Sequence, residues 1–172
     1  DASAVEATWP VVSAATSAAV SQLDTMRQSE GTALVTDLEQ ACVSIGELVQ
    51  QIRKRVPEVV AEHRQRLLDR VAKVLETHQA RLDDNDVIRE VALIADRSDI
   101  SEELVRLESH VEQFRSLLHD TAPGRSLDFL AQELGREANT IGSKSVDVAI
   151  AHAVVDLKSQ VERIREQAAN IE

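Results

Sequence analysis

The chain has 172 residues, 43% hydrophobic and 28% charged, with a formal net charge of -11. That balance is globular, not disordered, and the length suits one or two small domains. A single Cys42 excludes an internal disulfide, no Cys/His cluster has zinc spacing, and no apolar run approaches a membrane span, so a cytoplasmic setting is expected.

The Ala/Ser-rich start is neither charged nor apolar enough for a signal peptide, and the absence of an initiator Met points to a trimmed or partial protein. Three aromatics (Trp9, Phe114, Phe129), five Gly and three Pro leave few strand or turn signals. An aliphatic core with long stretches free of Pro and Gly predicts an all-α chain: a long antiparallel helical hairpin followed by a C-terminal helical bundle. The expected division is 1–82 for the hairpin region and 83–172 for the C-terminal domain.

From Pro10, the positions Val12, Ala15, Ala19, Leu23 and Met26 mark one helical face. Leu34, Leu38, Ala41, Ile45, Leu48 and Ile52 continue it in heptad fashion. Gly31 costs about 1 kcal/mol within a helix, which a packed helix tolerates, so one helix is expected to about Arg55. Val56-Pro57 then ends it, because the residue before a proline is pushed out of the α region. Pro57 opens a return helix striped by Val60, Leu67, Val71, Val74 and His78.

Asp83 to Asp86 reads as a turn or an acidic helix start, followed by Val87, Val91 and Ile94 facing inward. Asp99 is the expected N-cap of the next helix, with Glu102 at N3 and a stripe of Leu104, Leu107, Val111, Phe114 and Leu118. Ser126 is the expected N-cap of a helix with Leu127, Leu130, Leu134, Ala138 and Ile141 on one face, and Gly142 its C′ terminator. Ile150, Val154, Leu157, Val161, Ile164, Ala168 and Ile171 give the cleanest heptad stripe, for packing within the chain or on a partner subunit.

Charge is polarised along the chain. Residues 53–73 hold seven basic and three acidic side chains, and residues 82–120 four basic and eleven acidic. Such runs are also what solvated helix faces look like. Glu133 and Glu137, four apart on one face, repel each other unless a cation reverses the sign: Arg136, a neighbouring chain or a divalent metal. If helix persists through the bend near Arg97, Asp96, Asp99, Glu103, Arg106 and His110 share a face. Glu90, Asp96, Glu103, His110, Glu133 and Glu137 thus supply carboxylates and one imidazole, and carboxylates are the hard ligands that Mg²⁺ or Mn²⁺ prefers. Taken singly, each is more often a solvated surface group than a ligand, since charged residues are mostly exposed.

The run Gly-Arg-x-Leu-Asp-Phe-Leu-x-Gln-Glu-Leu-x-Arg-Glu-Ala-Asn-Thr-Ile-Gly-Ser-Lys (124–144) and the closing Ile-Arg-Glu-Gln-Ala-Ala-Asn-Ile-Glu (164–172) resemble the C-terminal domain of the YicC/YloC-like bacterial endoribonucleases. Glu90 to His110 is a second such word, and Arg27 to Leu34 and Arg55 to Val60 look like the family's central helical region. Ser126 departs from a common Lys and Gly135 from a common Asn; no carboxylate is lost.

The resemblance implies a metal-dependent endoribonuclease acting on single-stranded or structured RNA, assembled as a homohexamer around an RNA channel. It also implies an N-terminal domain that this sequence does not show. On that reading Glu90, Asp96, Glu133 and Glu137 hold Mg²⁺ or Mn²⁺. His110, Glu103, Glu133 and Glu137 are the catalytic candidates, and His110 leads as general acid/base because an imidazole titrates near neutrality. Arg125, Arg136 and Lys144 contact phosphates, with Arg53, Lys54 and Arg55 as an outer guide. A non-catalytic RNA-binding or chaperone module and a structural helical scaffold remain as rival readings. The sharpest structural expectation is that the two words place their acidic faces within reach of one ion, in one chain or across an interface.

Overall fold

The computed structural model describes residues 2–78, 88–89, 91–93, 95, 99–120, 123–169 and 171, with side chains in the first stretch described for residues 8–73. Among the described residues the long helices are α1 (Ala2–His78), α2 (Ser101–Leu117), α3 (Gly124–Lys144) and α4 (Val148–Ala168). The described residues between 88 and 95 are helical too, and no described residue is in a strand, so the all-α class holds. The chain divides into two compact units, Asp1–Glu39 and Gln40–Glu172.

In the first unit the predicted stripe is open from Val12 to Met26, and Leu38 near the end of the unit is buried. Val12, Leu23 and Met26 are all exposed, as are Trp9, Val11 and Val20.

In the second unit α3 packs against both α2 and α4. The expected stripes supply the core: Leu104, Leu107, Val111, Phe114 and Leu118; Leu127, Leu130, Leu134, Ala138 and Ile141; Ile150, Val154, Leu157, Val161, Ile164 and Ala168 are all buried. Ala41, Cys42, Ile45, Val49 and Ile52 of α1 are buried as well. Each fully buried aliphatic side chain of this kind contributes about 1.5–3 kcal/mol over leaving it in water.

Four boundaries differ from expectation, each for a physical reason. The bend at Val56-Pro57, and with it the hairpin, is absent, because α1 runs straight through. Proline inside a helix costs about 3 kcal/mol through a lost hydrogen bond and a clash one turn back. Arg55 offsets part of that cost by tying the turns on both sides of the proline, with hydrogen bonds of 3.0 Å to Glu58 and 2.6 and 3.0 Å to Glu62.

α3 starts at Gly124, not after Ser126, since the Pro123 carbonyl already accepts from Ser126 and Leu127 N–H at 2.9 and 3.0 Å. Its end is Lys144, not Gly142, with Ser145 leaving the helix in an extended conformation. Gly142 instead gives clearance, because a Cβ there would sit 3.0 Å from Val154 Cγ1 of α4. The cap of α2 also shifts by one residue: Ile100 is the N-cap and Asp99 Oδ1 accepts from Ser101 N–H at 2.9 Å.

Candidate active site

Leu104, Leu107 and Val111 of α2 and Leu130, Leu134 and Ile141 of α3 are buried, and the polar residues beside these stripes form an ionic row along the seam. On α2, Glu103, Arg106 and His110 fall at steps of three and four, and therefore share a face. On α3, Glu133, Glu137 and Lys144 do the same at steps of four and seven.

Arg106 is the organiser. Its Nε donates to Glu137 Oε1 at 2.8 Å and its Nη2 to Glu137 Oε2 at 3.0 Å, a two-pronged bridge from α2 to α3. The same guanidinium reaches Glu103 at 3.4 Å and pairs with Glu102. Lys144 Nζ donates to Glu103 Oε1 at 2.9 Å and to the Asp99 carbonyl at 3.0 Å, fastening the last turn of α3 to the start of α2. Glu103 and Glu137 are only 4% and 5% exposed, a position charged residues occupy only when paired. Burial pushes the Glu103 carboxyl up, yet the Lys144 ammonium, a backbone N–H and Arg106 prevail and hold it below the usual carboxylate range.

One ligand atom each from His110, Glu133 and Glu137 lie within 4.8 Å of one another. Glu133 accepts from Arg136 Nη1 at 2.9 and 3.3 Å. A carboxylate has about four lone-pair sites, so the arginines leave both glutamates able to accept further contacts. His110 Nδ1 is buried without a hydrogen-bond partner, and so is Glu103 Oε2. A buried polar atom left unpaired costs about 1–3 kcal/mol, more when charged, so two of them along one seam mark an arrangement not built for stability alone.

A second arginine-centred cluster lies at the junction of α3 and α4. Arg55 of α1 donates to Asp147 at 3.3 and 2.9 Å as well as to Glu58 and Glu62. Asp147 is also the N-cap of α4, accepting from Ile150 N–H at 3.0 Å. The Arg55 guanidinium holds both Asp147 and Glu62 below the usual carboxylate range.

Of the residues singled out from sequence, His110, Glu133 and Glu137 come together, and Glu103 stands two helical turns from His110, in the Arg106 network. Glu90 and Asp96 lie outside the described residues. Arg125 is exposed, and Arg136 is exposed apart from its bridge to Glu133. Lys144 and Arg55 are committed to carboxylates, and Arg53 donates to Glu108 at 2.8 Å. Lys54 is exposed on the wall of a groove between α1 and α2 that is also lined by Gln50, Glu108 and Arg115. No hairpin bend follows Arg53, Lys54 and Arg55, since α1 is continuous. The organising part of Arg106 was missed; its place midway between Glu103 and His110 on one face was the available signal.

No helix among the described residues is long and apolar enough to cross a membrane. A family model described as the C-terminal part of the YicC-like endoribonucleases matches residues 52–172. A probable endoribonuclease YicC of Clostridioides difficile is 40% identical over 165 residues, 95% of this chain and 56% of that protein. A probable endoribonuclease YicC of Haemophilus influenzae is 40% identical over 148 residues, 86% of this chain and 50% of its own length. The chain thus spans about half the length of these curated relatives. Both words that build the seam between α2 and α3 fall within the matched region, and the chain belongs to the YicC-like endoribonuclease family through that C-terminal domain.

Proposed function

We propose that the α2–α3 seam is the cleavage site of an endoribonuclease that works with a divalent cation held by Glu133, Glu137 and His110. The observation that carries this reading is the convergence of those three ligand atoms within 4.8 Å beside a buried, unpartnered His110 Nδ1. Charges alternate along the seam from Lys144 to Glu103, Arg106 and Glu137, and the row ends on a second carboxylate and an imidazole. A cation is what such an end attracts. Two carboxylates are the oxygen ligands Mg²⁺ and Mn²⁺ take, and the imidazole adds a nitrogen donor that Mn²⁺ tolerates better than Mg²⁺.

Such an ion, when bound, activates water or stabilises charge on the scissile phosphate and the leaving oxygen. The chain's own residues set the stage. Arg106 fixes the orientation of Glu137 through both carboxylate oxygens, and Lys144 and Glu103 keep Arg106 in place. His110 either completes the ligand set or moves a proton as general acid/base; a row of Glu90 and Asp96 with these residues would extend the site. Arg125 and Arg136 are the cations left with exposed side chains near it, and they suit RNA phosphates. Cleavage in a homohexamer belongs to the same reading.

The test is cleavage of end-labelled RNA by the purified chain. Activity should vanish in EDTA, return with Mn²⁺ or Mg²⁺, and follow the protein through gel filtration. Cleavage that persists in EDTA sinks the metal, and salt-dependent RNA binding without any cleavage replaces the nuclease with a binding module.

A further inference from the structure

A lone exposed phenylalanine is ordinary on a protein surface. Phe129 is set apart by its surroundings. It is 59% exposed on α3, whereas Phe114, the other aromatic of this unit, is fully buried. At 100° per residue, Arg125, Phe129, Gln132, Arg136, Asn139 and Ser143 form one narrow stripe along α3. All six are exposed. In a chain of net charge -11, the exposed residues of α3 include no carboxylate. The helix has three acids, but Glu137 is buried, and Asp128 and Glu133 are half-buried and accept from Gln132 and Arg136. The faces of α2 and α4 are unlike this, exposing Glu102, Glu112, Asp156, Glu162 and Glu166.

The stripe therefore offers an anionic polymer two guanidiniums and several hydrogen-bonding groups around one aromatic ring. Phe129 lies four residues, about 6 Å along the axis, before Glu133. We infer that Phe129 is a stacking platform for one base of a single-stranded RNA, with Arg125 and Arg136 on the flanking phosphates, so that the strand is led onto the Glu133–Glu137 row. Cations along a backbone and an aromatic face for a base are the general means of holding unpaired nucleic acid without reading sequence. A duplex keeps its base faces stacked and offers Phe129 nothing. This inference rests on RNA being the ligand of the seam and adds that the segment held there is unpaired.

The experiment is binding in EDTA, so that it is independent of cleavage, of a short labelled RNA strand, its duplex, and a strand carrying one abasic position at successive places. Phe129→Leu should weaken the single strand by about tenfold, with Phe129→Trp close to the wild type. Duplex affinity and the salt slope should stay unchanged in both, whereas Arg125→Ala with Arg136→Ala should reduce the slope. One abasic position should erase the difference between Phe129→Leu and wild type. Equal binding by wild type and Phe129→Leu overturns the inference, even if the chain cleaves RNA. So does a wild type that binds no single strand, or a Phe129→Leu variant whose only change is in oligomeric state. A tenfold loss in a chain that never cleaves upholds the platform and removes the nuclease.

Discussion

Arg55 and Arg106 each gather three carboxylates, and the two clusters would be indistinguishable in a list of ion pairs. Around Arg55 the hydrogen-bond ledger closes, with no buried side-chain polar atom left unpartnered among the described residues: Glu58, Glu62 and Asp147 surround one guanidinium, and Asp147 is further satisfied by the N-terminus of α4. Around Arg106 it does not. Glu102, Glu103 and Glu137 are joined by Glu133, and although Lys144 and Arg136 add two cations, two buried polar atoms, Glu103 Oε2 and His110 Nδ1, have no partner. What separates a structural tie from a candidate site is the surplus, because a fold selected for stability alone has no reason to bury carboxylate beside carboxylate and leave an imidazole unanswered.

The largest effect should therefore fall on one cluster only. Glu137→Gln keeps the size and the Arg106 contact at one oxygen but removes a ligand charge, and RNA cleavage should drop by about a hundredfold or more with the fold retained. His110→Ala should behave alike. Arg55→Ala should leave cleavage per folded molecule unchanged; if it matches Glu137→Gln in the cleavage assay, the two clusters are not different in kind. In stability the order holds with smaller steps. Arg106→Ala strands the nearly buried Glu137, while Glu103 keeps Lys144, and should lower the unfolding free energy by about 2 kcal/mol in urea. Arg55→Ala strands more exposed groups and should cost about 1 kcal/mol. A larger loss for Arg55→Ala would mean that its tie across Pro57 outweighs burial.

The three helices of the bundle were legible because their aliphatic spacing is strict, and Leu104 to Leu118, Leu127 to Ile141 and Ile150 to Ala168 went inside as the period required. Helix ends were not, because side-chain ties and packing neighbours decided them. Arg55 carries α1 through Pro57, Lys144 carries α3 past Gly142 by reaching Asp99 and Glu103, and Val154 explains the glycine that resembled a cap. The site was half legible for the same reason. The spacing of Glu133 and Glu137, and of Glu103 and His110, gave two faces. That they face each other, with Arg106 between, depends on which stripe packs on which.

The smallest effect, and the most discriminating, is in acid. Asp147 is held below the usual range chiefly by Arg55. A carboxyl depressed in the folded state adds stability that is present above about pH 4, where the unfolded chain ionises, and is lost as pH falls through the lower folded value. Glu103 has the same sign by a different balance, because burial is its largest single influence and pushes it up, while Lys144 leads the opposing group. Lys144→Met should therefore leave burial dominant and reverse the sign at Glu103. The variant starts less stable at neutral pH, and part of the deficit should be recovered as pH falls and Glu103 takes up a proton above the ordinary carboxylate range. Asp147→Asn instead should only flatten the acid limb. Urea midpoints from pH 7 to pH 3 measure both. A Lys144→Met deficit that stays constant or widens on acidification would show that Arg106 alone keeps Glu103 ionised, placing the whole electrostatic weight of the seam on one side chain.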